Sequence, residues 1–325
     1  MRARLWAWKW IAVAVLPFGC YGQGAAVDAG YRIPAPVDVA PGQVITLFVR
    51  VPGKTVSGAV TAQAPLPAAL AGFSVLLRQS FPSDPEAVPI QGAADYQSCS
   101  PLAPTQCNVV SMVTVQIPFD LTPNVPLSGV PQNSARLDIS YQGNTATTLL
   151  LNPVTDRIHV VNGCDVLAGT STAGCTPMIT RPDGTQVTSL NPAQVGETLT
   201  MSLVGLGVPD QDVATGAASP QPAVTVSDVL LNIDARPNQS PGTPYDNAAA
   251  TTVPANSVVL LPGAVGIYQL TFTVPTLPMG TPACGNSVRS NLTVSVGRAT
   301  SYDGAAICVD PGSGQKPPDP TRRPG

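Results

Sequence analysis

Six of the seven cysteines fall into three neighbouring pairs, and this pattern predicts disulfide bonds. An even number of cysteines in local pairs is typical of proteins that fold in an oxidising compartment. Zinc sites use closely spaced cysteines or histidine partners, whereas the spacers here hold seven, ten and twenty-three residues and the chain has one histidine. The predicted pairs are Cys99 with Cys107, Cys164 with Cys175, and Cys284 with Cys308.

The single histidine is not expected to be catalytic. In Ile158-His159-Val160 the alternation places His159 on the outward face of a strand. The segment 169–173 (GTSTA) is close to a nucleophile elbow, but that motif requires a strand-to-helix turn in an α/β sheet. We therefore expect a surface histidine and a loop.

Two pairs of carboxylates offer the acid and base that glycoside hydrolysis requires. They are Asp210 with Asp212 and Asp156 with Asp165, and the first pair also offers oxygen ligands for calcium. Each pair lies in a predicted loop, where acidic side chains are usually solvated. We expect no catalytic residue, no metal ligand and no cofactor, and predict that the protein is not an enzyme.

The elements that carry these residues are β-strands in two similar sets, about 155 residues apart. The first set reads APGQVITLFV, FSVLL, VTVQIP and LDISYQG, and the second reads QVGETLTMSL, VLLNI, YQLTFTVP and NLTVSVG. Each block alternates apolar and polar residues, as does a strand with one face in a core. Turns rich in proline and glycine separate the blocks. The sequence predicts an all-β fold of two tandem Ig-like β-sandwich domains.

Residues 1–22 have the form of a cleaved signal peptide. The first nine residues carry three basic side chains and no acidic one, residues 10–18 are uncharged and mostly apolar, and small residues follow. We expect cleavage after Gly22. The alternative, a lipid anchor at Cys20, is disfavoured because the usual leucine three residues before the cysteine is missing.

The mature chain is expected to lie outside the cytoplasm, either secreted or held at the cell surface or in the periplasm. No later segment approaches the ~20 apolar residues of a membrane helix, so we expect no membrane span. The net charge is −3 and no basic patch is present, so no nucleic acid partner is expected. All three tryptophans lie in the leader, which disfavours sugar stacking on exposed aromatic rings.

The predicted organisation continues after the signal peptide with four segments. A strand at 157–161 is expected to close the first domain. The segments are domain one at 28–163, a disulfide-clipped linker at 164–183, domain two at 184–309, and a disordered proline-rich tail at 310–325.

Several blocks resemble a known family. APGQVITLFV, VTVQIP, NPVTDRIHVVNGCD, LVGLG and VGIYQLTFTVP together resemble the uncharacterised β-sandwich domains repeated in secreted proteins of soil acidobacteria. The resemblance covers most of residues 33–309, although the first copy reads VRVPG at 49–53 where the second reads LVGLG at 203–207. It implies an exported pair of Ig-like modules and assigns no activity to any residue.

These observations favour a secreted, non-catalytic protein with an adhesion, structural or protein-interaction role in the cell envelope or matrix. Its partner would be a protein or another component of the cell surface. The first alternative is an accessory module that binds extracellular polysaccharide. The second is an unrecognised hydrolase.

The cysteine pairing can be checked directly by peptide mapping of the mature protein without reduction. We expect Cys99 linked to Cys107, and the other four cysteines linked within their local pairs. Free thiols at these positions, or links that join the two predicted domains, would contradict the pairing.

Overall fold

The computed structural model describes residues 25–28, 31–32, 36–100, 103–124, 133–163, 165, 176–234, 251–277, 281–284, 291–296, 299–300 and 305–312. Every regular element in these ranges is a β-strand, so the all-β prediction is confirmed for this part of the chain. The predicted signal peptide lies outside the described residues. None of the described residues forms a helix of the length and hydrophobicity needed to cross a membrane.

The described residues of the amino-terminal part form twelve strands. They are β1 (Ala25–Asp28), β2 (Tyr31–Arg32), β3 (Val37–Val39), β4 (Val44–Arg50), β5 (Val60–Thr61), β6 (Ala69–Leu70), β7 (Phe73–Gln79), β8 (Glu86–Ala87), β9 (Ile90–Ser100), β10 (Ala103–Gln116), β11 (Ala135–Tyr141) and β12 (Asn144–Pro153).

The strands of the carboxyl-terminal part number eleven among the described residues. They are β13 (His159–Val160), β14 (Ile179–Thr180), β15 (Ala193–Gln194), β16 (Thr198–Val204), β17 (Val229–Ile233), β18 (Thr251–Pro254), β19 (Ser257–Leu260), β20 (Tyr268–Thr273), β21 (Leu292–Val296), β22 (Ala299–Thr300) and β23 (Val309–Asp310).

Two sheets enclose the first hydrophobic core. One has the order β2-β1-β4-β10-β9-β5, and the other has the order β3-β12-β11-β7-β6 with β8 beside β7. Alternate residues of each long strand point inward, as in β7, where Phe73, Val75 and Leu77 are buried and Leu76 is exposed. This arrangement is sandwich-like, with apolar faces packed against each other.

The second core lies among three sheets. Their orders are β13-β16-β20-β19 with β14 also on β16, β18-β17-β21-β22, and the parallel pair β15-β23. Tyr268, Leu270 and Phe272 of β20 are fully buried. The Tyr268 hydroxyl, which would be costly to bury without a partner, donates a hydrogen bond to the Gly207 carbonyl at 2.5 Å.

The two predicted sets of strands pair in the same register. In β4 and β10, Leu47 lies opposite Val113, and in β16 and β20 the corresponding Met201 lies opposite Leu270. The turn before each strand also matches, because the amide of Gly42 donates to the Ile117 carbonyl at 3.0 Å and that of Gly196 donates to the Val274 carbonyl at 2.9 Å. The sequence blocks and the strand pairing therefore follow one pattern.

The strand expected at 157–161 belongs to the second core and not to the first. β13 pairs with β16, so that His159 lies opposite Val204, and Ile158 and Val160 are buried in the second core. β14, which falls in the predicted linker, pairs with β16 as well. The order of the blocks in the sequence could not show this, because β13 follows β12 closely but pairs with residues about 45 positions later in the chain.

The two parts of the chain meet through buried polar contacts. The side chain of Gln116, at the end of β10, accepts a hydrogen bond from the Gly216 amide at 2.6 Å and donates to the Gly42 carbonyl at 3.4 Å. Nearby, the Phe119 amide donates to the Thr215 hydroxyl at 3.1 Å. Since Gln116 is fully buried, these bonds satisfy its amide group and hold the two parts together.

Gly266 leaves no space for a side chain at this junction. Its φ is +65°, and an added Cβ would lie 2.6 Å from Val44 Cγ2 and 2.8 Å from the Gly42 carbonyl oxygen. Gly263, in the same loop, also has a positive φ of +80°, but nothing lies within 4 Å of an added Cβ. The two positions share the backbone strain and differ in the steric clash.

We predict that Gly266→Ala destabilises the protein more than Gly263→Ala. Each substitution costs about 1 kcal/mol for a side chain at positive φ, and overpacking adds about 1–3 kcal/mol at Gly266 alone. Urea unfolding of both variants measures the difference in the free energy of unfolding. Equal destabilisation by the two substitutions would show that the junction does not form as described.

Candidate functional site

A cleft of about 510 Å³ lies where the two parts of the chain meet, and carboxyl groups line it. Glu86 reaches it from β8, which is held by pairing with β7. Asp120 comes from the turn that follows β10, and Asp212 comes from the loop after β16. Phe119 and Val213 contribute apolar surface to the lining.

Glu86 has the strongest electrostatic perturbation in this cleft. Burial raises the pKa of Glu86, and a hydrogen bond with Asp120 and the negative charge of that residue raise it further, to about 8. Its Oε2 atom is buried and has no hydrogen-bond partner among the described residues. At neutral pH Glu86 is therefore mostly protonated and donates a hydrogen bond to Asp120.

This pair can exchange a proton with a bound group, but its geometry does not match glycoside hydrolysis. The two carboxylates of a glycosidase stand about 5–9.5 Å apart, so that the scissile bond fits between them. Glu86 and Asp120 instead hydrogen bond to each other directly. Across the described residues, no group of three or more histidine, cysteine or acidic side chains is placed to hold a metal ion.

A second cluster of ionisable groups lies partly buried at one end of the first core. Lys54 follows the turn after β4, and its Nζ contacts the Oδ2 atom of Asp95 on β9. Oδ2 also accepts hydrogen bonds from the amide of Ser57 at 2.8 Å and from its hydroxyl at 2.6 Å, and Oδ1 accepts one from the Ser111 hydroxyl at 2.6 Å. The Lys54 and Asp95 side chains are only 5% and 2% exposed.

The hydrogen bonds control the charge of this carboxyl group. Burial alone would raise the pKa of Asp95, but the bonds from Lys54, Ser111 and Ser57 outweigh it and lower the pKa to about 2. Aromatic rings stand on the other side of the lysine, since Nζ lies 5.6 Å from the ring centres of both Phe73 and Tyr141.

His159 is not the surface residue that the sequence predicted. It is 3% exposed, and its Nε2 atom lies 3.0 Å from Oδ2 of the buried Asp165. The same carboxylate oxygen accepts a hydrogen bond from the Asn162 amide at 2.6 Å. The alternation failed because β13 is only two residues long and both of its residues are buried. The imidazole thus fixes the segment that enters the second core.

The carboxylate pairs proposed from the sequence do not face each other across a cleft. Asp210 is exposed and accepts hydrogen bonds from Thr225 and Ser227, both at 2.9 Å, which lower its pKa. Asp212 instead lines the cleft that holds Glu86.

Asp156 and Asp165, the other proposed pair, also have separate hydrogen-bond partners. Burial raises the pKa of Asp156, which accepts a hydrogen bond from the Thr155 hydroxyl at 3.0 Å, whereas Asp165 bonds to His159. Segment 169–173 lies outside the described residues.

One predicted cysteine pair is joined in the structure. A disulfide links Cys284 to Cys308, with 5.5 Å between the Cα atoms. Cys99 and Cys107 are register partners in β9 and β10, so their backbones stand at the separation that a disulfide requires. That pair stays a prediction, and Cys164 and Cys175 lie outside the described residues.

Sequence reasoning missed the two clusters because their members come from distant segments. Asp95 lies two residues after the buried Ala93 on β9, so the alternation of the strand places both side chains on its inward face. A charged residue at an inward position was a signal of a buried ionic contact. Lys54 offered another signal, since it is the single lysine between residues 10 and 315. No such signal marked Glu86 or Asp120.

Comparison with known proteins yields no match to a family model and no match to a curated protein.

The raised pKa of Glu86 predicts a specific pH dependence of stability. The folded protein keeps the Glu86 proton up to about pH 8, whereas an unfolded chain releases it near pH 4.5, so the free energy of unfolding falls as the pH rises between these values. Glu86→Gln mimics the protonated side chain and should remove this part of the dependence. Calorimetric melting across the interval compares the two proteins, and identical pH profiles would contradict the assignment.

Proposed function

We propose that the chain is a secreted, non-catalytic tandem of Ig-like β-sandwiches that serves in adhesion or as a structural, protein-binding component of the cell envelope or matrix. Two cores with matching strand registers support the tandem arrangement. Export after cleavage at Gly22 and membership of the secreted acidobacterial family are part of the same proposal. The Cys284–Cys308 bridge suits an oxidising environment.

The observation that carries the proposal is an arginine–leucine face on the outer side of the β12-β11-β7 sheet. It consists of Leu76, Arg78, Arg136, Asp138 and Leu150. Asp138 lies between the two arginines, with Arg78 Nε at 2.6 Å and Arg136 Nε at 3.1 Å. The leucines flank this ion pair network, and Leu150 is 55% exposed.

This face has the chemistry of a protein-binding surface. Arginine and apolar side chains together are enriched where proteins meet, because arginine combines a large stem with directed hydrogen bonds. Asp138 holds both guanidinium groups in place, so less side-chain entropy is lost when a partner binds. The sheet itself is anchored by the buried side chains on its other face, such as Val75 and Ile139.

Sugar binding has less support from the described side chains. Polysaccharide-binding sandwiches stack sugar rings on exposed aromatic residues. Among the described residues, Phe81 and Tyr96 are the exposed aromatic side chains; Phe81 lies in the loop after β7 and Tyr96 lies on β9, in the other sheet. Tyr96 packs edge-on against Phe48, with 6.0 Å between the ring centres.

The test replaces both leucines of the arginine–leucine face with threonine, which keeps the preference for strand structure. We expect Leu76→Thr/Leu150→Thr to bind at least about tenfold more weakly to cells of the source organism, since central apolar contacts contribute about 2 kcal/mol or more. The fluorescently labelled mature protein is the probe. Leu190→Thr is the matched control, because Leu190 is 93% exposed and lies in the second part of the chain.

Two outcomes would contradict the proposal. Unchanged cell binding by the double variant, with competition by soluble polysaccharide, would favour the polysaccharide-binding alternative. Turnover of a substrate in a broad hydrolase panel, abolished by Glu86→Gln with folding intact, would show that the protein is an enzyme.

A further inference from the structure

Lysine is used in an unusual way in this chain. The three lysines are Lys9, Lys54 and Lys316, and the first and last lie in the predicted leader and tail. Apart from His159, every other basic residue between residues 10 and 315 is an arginine. Arginine is the better partner for a buried carboxylate, because its guanidinium binds both oxygens at once. A lysine whose side chain is only 5% exposed and contacts a carboxylate therefore calls for a reason other than charge.

The backbone directs Lys54 into the end of the first core. Gly53 has a φ of +75°, and the Lys54 amide donates to the Val51 carbonyl at 3.3 Å, which closes the turn after β4. β10 lies between β4 and β9 in the sheet, and Ser111 of β10 is the register partner of Asp95, so the lysine side chain crosses β10 to reach Asp95. Its amino group is enclosed by Asp95 on one side and by the rings of Phe73 and Tyr141 on the other.

The carboxyl group of Asp95 is prepared as an electrophile. Ser111, its register partner on β10, donates to Oδ1, and Ser57 donates to Oδ2 through both its amide and its hydroxyl. These donors stabilise the carboxylate and lower the pKa of Asp95, and the same donors would stabilise the negative charge that develops on its oxygens during attack. The Ser57 hydroxyl also accepts a hydrogen bond from Lys54 Nζ at 3.4 Å.

We propose that Lys54 and Asp95 react after folding to form an intramolecular isopeptide bond. In a minor fraction of the folded molecules the ammonium transfers one proton to the carboxylate, which gives a neutral amine and a neutral acid; this transfer is uphill, because the hydrogen bonds lower the pKa of Asp95 to about 2. The Nζ lone pair then attacks Cγ of Asp95, and a C–N bond forms. One C–O bond breaks, one water molecule leaves, and no electron donor or acceptor is needed.

Ser57 supplies the route for the second proton. Its hydroxyl accepts from Nζ and donates to Oδ2, so a proton lost by the nitrogen can pass through it to the departing oxygen. Oδ2 leaves as water with both protons, while Oδ1 stays as the amide oxygen and keeps its hydrogen bond from Ser111. The amide nitrogen retains one hydrogen, which balances the reaction.

Burial favours the amide over the ion pair. Two charges removed from water carry a large desolvation cost, and their attraction only partly offsets it. Condensation replaces both charges with one neutral amide. Proximity drives the reaction, because groups held in contact in a folded protein reach very high effective molarities.

Intact mass of the purified wild-type protein is the direct test, measured after reduction of the disulfides. We expect a mass lower than that of the mature sequence by one water molecule. Trypsin should fail to cleave after Lys54, and the peptides 51–78 and 79–136 should appear as one branched product. The test requires no variant, so it does not depend on a substitution that might prevent folding.

Three variants provide matched controls. Lys54→Arg keeps the charge and removes the nucleophile, and Asp95→Ala removes the electrophile, so both should show the full sequence mass. Ser57→Ala should form the bond more slowly and give a mixture of the two masses soon after folding. A folded wild-type protein that keeps its full mass on prolonged incubation, and is cleaved at Lys54 after denaturation, would overturn the proposal.

Discussion

The register of β10 against β4 and β9 is the constraint on which the rest of the described structure depends. Along one inward face this strand places Ser111 opposite Asp95, and Val113 and Val115 in the first core. Its last residue, Gln116, provides the hydrogen bonds of the junction, and the turn that follows places Asp120 in the cleft. Because side chains alternate along a strand, a shift of one residue would turn all of these groups to the opposite face.

Much of the fold could be predicted from the sequence, whereas the sites could not. Alternation in blocks such as VITLFV and LTMSLV reports which face of a strand is buried, and this local information was sufficient for the strands of both cores. It failed at β13, where two residues are too few to show a period and the partner strand lies far along the chain. The Glu86–Asp120 and Lys54–Asp95 contacts join segments 34 and 41 residues apart, and a periodic pattern contains no information on such distances.

The cost of removing an acidic group from water is offset differently in each of three clusters. Asp165 is held by His159 and a backbone amide, and Glu86 is kept neutral by a proton with which it hydrogen bonds to Asp120. Asp95 accepts more hydrogen bonds than Asp165 or Glu86. One of its donors is the primary amine of Lys54, and among basic side chains only a primary amine can form an amide. A set of donors that only stabilised a charge would be equally well completed by arginine. The choice of lysine therefore distinguishes this cluster from the other two.

Each core of the described chain would then have one covalent link near its edge. The link is a disulfide in the second core and the proposed amide in the first. The Cys284–Cys308 disulfide ties the segment before β21 to the residue that precedes β23, across 24 residues. The proposed amide would tie the turn after β4 to β9 across 41 residues, and so prevent β10 from leaving the sheet between them. An amide is unaffected by reductants, unlike a disulfide, and closing a loop restricts the unfolded chain in either case. In the proposed role outside the cell such links would be an advantage, because unfolding that begins at a sheet edge would be stopped at the cross-link.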